Sequence, residues 1–176
     1  MGVNKGGRMD MAKMKVAKQL MTPSDLSEKG RGEIAVAVNP LVADAFALYV
    51  KTKSFHWHVY GHDFRDKHLL FDEQAEQIFA MIDVLAERVR KLGAVTVRSV
   101  GDINHLKRVK DDAGALLTAE QMVKQLMKDN LEFVKSLREV HEVCSKHGDC
   151  ATTSILEILI DEGERRIWFL FEASQG

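Results

Sequence analysis

Between Gly61 and Gly93, seven apolar residues recur at alternating steps of four and three: Phe71, Ala75, Ile78, Ile82, Leu85, Val89 and Leu92. That period is one face of an α-helix, and it constrains the chain more than any other feature. A helix this long with a single apolar face cannot stand alone. It has to bury that face against other helices.

The rest of the chain offers such partners. Leu41, Ala45, Leu48, Thr52, Phe55 and Val59 form the inward stripe of a preceding helix that runs to about Tyr60 and stops at Gly61. Its start has two readings. Asn39-Pro40 makes a good cap and first-turn pair, whereas an earlier start lies near Glu28 to Ile34. The second helix spans about Phe64 to Leu92. A long connection, Ala94–Leu117, then carries a short helix near Asp102–Arg108. Thr118 with Gln121 three residues on reads as a capping box for a third helix, with Val123, Leu126, Asn130, Phe133, Leu137 and Val140 facing in and an end near His147. The last helix begins near Asp149 and reaches Phe171. The expected class is all-α: a four-helix bundle of the ferritin-like kind, with a long crossover between its second and third helices.

The second helix carries a further pattern. His68/Asp72 and Asp83/Glu87 are two pairs at four-residue spacing, so each pair shares a face. Asp72 and Asp83 are separated by about 16 Å of helix rise, whereas ligand bonds to a metal are on the order of 2 Å. No single ion reaches both pairs in one chain. The four positions form a stripe centred roughly 120° from the core stripe, with Phe79 near its middle. A second copy of the helix, antiparallel across a two-fold axis near Phe79, would set His68/Asp72 of one chain against Asp83/Glu87 of the other. His56 lies six residues before His62 and His68 six after, so a hairpin puts both at similar height. The expected centre therefore draws His56, His68 and Asp72 from one chain and Asp83 and Glu87 from its mate. Isolated pairs of this kind are ordinarily solvated surface, but two on one face with an aromatic between them are less easily dismissed. Mixed imidazole and carboxylate ligands suit iron or zinc better than calcium or magnesium.

The runs Lys51-Thr-Lys-Ser-Phe-His-Trp-His-Val-Tyr-Gly61, Phe64-Arg-Asp-Lys-His68, Phe71-Asp-Glu73, Asp83-Val-Leu-Ala-Glu-Arg88 and Ile160-Asp-Glu-Gly-Glu-Arg-Arg-Ile-Trp-Phe-Leu170 resemble the signature of the Dps family, ferritin-like iron-storage and DNA-protection proteins. The resemblance covers nearly everything from about Ser27 onward. It implies a ferroxidase centre between two-fold-related subunits, with His56, His68, Asp72, Asp83 and Glu87 as the matching ligands. Trp57 then lies beside the centre and Lys53 supports it from behind the ligands. The resemblance further implies a hollow dodecamer that oxidises Fe(II), preferably with hydrogen peroxide, and stores ferric mineral without an organic cofactor. Acidic residues near the start of the last helix would line an iron-entry pore. Asp149 matches best and Glu157 lies two turns further on, although an aspartate there is also an ordinary helix cap.

Residues 1–26 read as a basic tail and 27–176 as the folded domain. Met1–Met21 holds Lys5, Arg8, Lys13, Lys15 and Lys18 against Asp10 alone, a local charge of +4. Repeated around an oligomer, such tails could hold DNA phosphates without sequence preference. The alternative function is accordingly that of a mainly structural, nucleoid-binding protein. A bundle-core di-iron enzyme is disfavoured, because the chain has no ExxH pair. Cys144 and Cys150 follow no metal spacing, and His58, His62, His105, His141 and His147 read as surface or isolated groups. Glu164-Arg165-Arg166 reads as surface or interface ion pairing. With two cysteines, no signal segment and no run taken as a membrane span, the expected setting is the cytoplasm, at the nucleoid if DNA is bound.

Overall fold

The computed structural model describes residues 18–112 and 114–175. Lys5, Arg8, Lys13 and Lys15 of the expected DNA-binding tail lie outside them; Lys18 is exposed in a short 3-10 turn, Lys18–Leu20. Five α-helices follow: α1 Glu28–His58, α2 Phe64–Lys91, α3 Val100–Leu106, α4 Ala119–Lys146 and α5 Cys150–Glu172. The four long ones form the bundle, with α1 packed on α2, α4 on α5, and α1 also on α4. The short α3 lies against α1. Every position of the three apolar stripes read from sequence is buried, from Leu41 to Val59, Phe71 to Leu92 and Val123 to Val140.

The helix ends follow from local chemistry. Gly61 and Gly93 take φ of 92° and 79°, conformations that favour glycine and that stop α1 and α2 at either side of their hairpin and crossover. Thr118 and Gln121 make the reciprocal capping box of α4. Ser27 caps α1 by accepting from the Gly30 amide at 3.1 Å, which settles the start of that helix. Asn39-Pro40 is not a cap. Pro40 lies inside α1, and the fully buried Asn39 donates its side-chain amide to the carbonyls of Ala35 and Val95, both at 3.0 Å. The second of these bonds ties the start of the crossover to α1. Buried Asp44 ties its far end, accepting from Arg108 Nε at 2.8 Å and from the Val109 amide at 3.1 Å. The crossover is therefore fixed by two polar residues of a helix otherwise rich in apolar ones.

Two expectations need correction. An 18-residue window of α1 reaches a mean hydropathy of 1.5, so by length and composition this helix could cross a membrane. Its apolar residues are instead the centre of the bundle, because α1 packs against α2, α3 and α4. Arg166 is not a surface ion-pairing residue. It is 1% exposed, with Nε donating to Asn130 Oδ1 at 2.9 Å and, among the described residues, no partner for its terminal nitrogens. Burial pushes its pKa down to about 10, which still leaves it charged at neutral pH. Its neighbours behave as expected of surface residues, Glu164 pairing with Arg138 and Arg165 stacking over Phe169.

Candidate metal centre

The α1–α2 hairpin brings three of the predicted ligands together. The rings of His56 and His68 stack with centroids 3.8 Å apart. His56 Nδ1 lies 2.8 Å from the carbonyl of His68, and His68 Nδ1 lies 2.8 Å from the carbonyl of His56. A carbonyl only accepts, so both Nδ1 atoms must carry the proton and donate. In the neutral rings both Nε2 atoms then keep their lone pairs. Histidine ligands are commonly oriented in this way by a second hydrogen bond. Here each histidine is oriented by the backbone of the other.

Asp72 completes this cluster. One of its carboxylate oxygens lies 3.8 Å from His56 Nε2 and also accepts from Lys53 Nζ. The hydrogen bond from Lys53 is the main reason the Asp72 carboxyl sits below its ordinary range; partial burial opposes it, and the nearby imidazoles add to it. The same contact raises the Lys53 ammonium. Lys53 and His56 are mostly covered, whereas Trp57 beside them is 66% exposed.

Asp83 and Glu87 are placed differently. Both are exposed on α2, and among the described residues Glu87 pairs only with its own helix neighbour Lys91, at 3.1 Å. Phe79 lies between the two pairs, 56% exposed, its ring 5.1 Å from that of Tyr49. Among the described residues, no three His, Cys, Asp or Glu side chains of one chain are arranged to hold a metal ion. The stripe therefore contains one built half, one open half, and an uncovered aromatic between them.

The residues expected to line a pore separate from each other. Asp149 is 2% exposed and caps α5, accepting from the Thr152 amide at 3.0 Å and from Arg88 at 2.8 and 2.9 Å. Both oxygens are thus engaged inside the fold, and Asp149 is withdrawn as a pore residue. Glu157 is exposed and hydrogen-bonded to His141 at 3.0 Å. Sequence reasoning missed this contact and the one between His147 and Glu33, at 2.7 Å. The first joins the consecutive helices α4 and α5, the second ties the C-cap of α4 to α1, and no spacing signals either.

Comparison with known proteins gives this arrangement a context. Residues 36–173 match the ferritin family, described as a ferritin-like domain. The chain is 30% identical over 130 residues to a DNA protection during starvation protein of Helicobacter pylori, covering 74% of this chain and 90% of that one. The structure of Dps from Thermosynechococcus elongatus superposes with a TM-score of 0.81 at 30% identity, covering 84% of this chain and 94% of the other. The chain belongs to the Dps family. The chain is also 34% identical over 152 residues to an uncharacterized low temperature-induced protein of Nostoc, covering 86% of this chain and 85% of that one.

Proposed function

We propose that this Dps-family protein stores iron and protects DNA, and that it does so by oxidising Fe(II) at a centre shared by two subunits. The observation that carries this reading is the mutual locking of His56 and His68 beside Asp72, three ligands without a fourth. Asp83 and Glu87 of a two-fold-related copy would complete the set, meeting across Phe79. Fe(II) is the substrate. Two neutral imidazoles admit it, and three carboxylates favour the more highly charged Fe(III) product. With hydrogen peroxide as oxidant, two Fe(II) each give up one electron, the O–O bond breaks, and two protons complete two molecules of water. The two-electron reduction leaves no hydroxyl radical to attack DNA. Trp57, exposed beside the centre, is placed to meet either the neighbouring subunit or a stray oxidising equivalent. Assembly into a closed dodecamer would give the ferric product an interior in which to collect.

The test is anaerobic loading with Fe(II) followed by peroxide, read as ferric absorbance. Rapid oxidation that is lost in an Asp83→Ala/Glu87→Ala variant is the expected result; wild-type rates in that variant would remove the site assignment. Direct DNA binding is a separate matter and falls to the basic tail. Deleting Met1–Met21 should abolish DNA retardation at low salt while leaving iron oxidation intact.

A further inference from the structure

Each half of the proposed centre holds a lysine against its carboxylate. Lys53 of α1 pairs with Asp72 of α2, and Lys91 pairs with Glu87 one turn away on the same helix. The two contacts differ in kind. Lys91 and Glu87 are both more than half exposed, an ordinary surface pair of little consequence. Lys53 is 19% exposed and comes from the facing helix. It is anchored three residues before His56, and the Asp72 oxygen it holds is the one 3.8 Å from His56 Nε2. A metal ion bound by His56 and Asp72 would have to lie close to that oxygen.

We infer that the Lys53 ammonium is a built-in counter-cation of the centre, which an incoming divalent metal ion must displace from Asp72. The inference rests on the reading of His56, His68 and Asp72 as ligands, with Asp83 and Glu87 supplied by the partner subunit. The lysine neutralises Asp72 in the metal-free protein and so keeps the three-residue half-site from being an open anionic trap. When a dication arrives, the ammonium swings aside while remaining nearby, and like-charge repulsion weakens the hold on the metal. A centre built in this way binds its metal ion loosely enough to pass it on. Lys91 has no such position and exerts no such effect.

Anaerobic titration of the assembled protein with Co(II), followed by its visible absorbance, separates binding from oxidation. Lys53→Gln should tighten Co(II) binding by about tenfold, the scale expected for removing a like charge from a partly covered site. It should also slow removal of Co(II) by a chelator. Lys53→Arg, which keeps the charge, should bind as the wild type does, and Lys91→Gln should change affinity by less than about twofold. Unchanged or weaker binding in Lys53→Gln would overturn the inference, and so would an equal tightening in Lys91→Gln. The underlying site reading fails by a different result, Co(II) binding that survives Asp83→Ala/Glu87→Ala. Circular dichroism and the assembled size of each variant show that it is folded.

Discussion

The two ends of α2 solve the same problem in opposite ways. At its start, His68 and Asp72 are held by their own chain: the first by a reciprocal backbone bond with His56, the second by Lys53. Towards its end, Asp83 and Glu87 stand in solvent, and it is the residue next to Glu87 that is anchored. Arg88 reaches back into the fold, its Nε 2.6 Å from Thr152 Oγ1 and its terminal nitrogen on Asp149. In the proposed centre, one half-site would be preorganised by direct contact with its ligands. The other would be preorganised only in where its helix lies, its ligands completed by a partner. A shared centre would benefit from this difference, because one half would provide the geometry and the other charge when subunits meet.

The contrast can be broken most sharply at the open end. Asp83→Ala/Glu87→Ala should lower the rate of Fe(II) oxidation on the order of 100-fold. In metal-free protein it should change thermal stability by no more than about 0.5 kcal/mol, since both side chains are exposed and make no bond to another helix. A large fall in melting temperature would show that the open half is load-sharing within its own chain. The anchor behind it should behave in the reverse manner. Asp149→Asn removes one partner of a buried ion pair and should cost about 3 kcal/mol in chemical denaturation.

Asp149 also sets a pH signature. Its burial would by itself raise the carboxyl, but bonds from Thr152 and Arg88 outweigh that and hold the pKa below the ordinary value. A carboxylate depressed in the folded state contributes stability above its unfolded pKa of about 3.9, and that contribution is lost as pH falls through the folded value. The wild type should therefore lose stability below about pH 4 more steeply than Asp149→Asn. Parallel curves would assign the acid sensitivity to other carboxylates. The smallest expected effect is at the built end. His68→Leu deletes one of the two crossed hydrogen bonds, that from His68 Nδ1 to the His56 carbonyl, and should destabilise by roughly 1 kcal/mol, a cost that no substitution at Asp83 or Glu87 should share.

Much of this molecule was legible in its sequence because helix periodicity alone sorts its faces. The stripes from Leu41, Phe71 and Val123 are buried throughout, and the stops at Gly61 and Gly93 follow from φ values few other residues tolerate. The placing of His68, Asp72, Asp83 and Glu87 on one helix follows from the same periodicity. The failures are polar residues whose role depends on a partner far along the chain. Asp149 reads equally as a pore lining or a cap until Arg88, 61 residues away, is seen on it. Arg166 sits in a run of charges that looks solvated, yet the close approach of Gly163 to Val134 draws it into the bundle beside Asn130. Pro40 was ambiguous because the residue beside it, Asn39, both caps well in general and here bonds to the crossover at Val95. The crossed bonds of His56 and His68 have no signature at all, since both acceptors are main-chain carbonyls.

The central claim is that one centre takes its ligands from two chains, and complementation tests it most directly. A variant lacking His56, His68 and Asp72 is co-expressed with one lacking Asp83 and Glu87, so that mixed assemblies form. Each mixed pair then regains one intact centre and has one centre stripped of all five ligands. With random pairing, about a quarter of all centres are whole, and Fe(II) oxidation should return to roughly a quarter of the wild-type rate. Mixed assemblies no more active than either inactive parent would contradict a shared centre and place the ligands within a single chain.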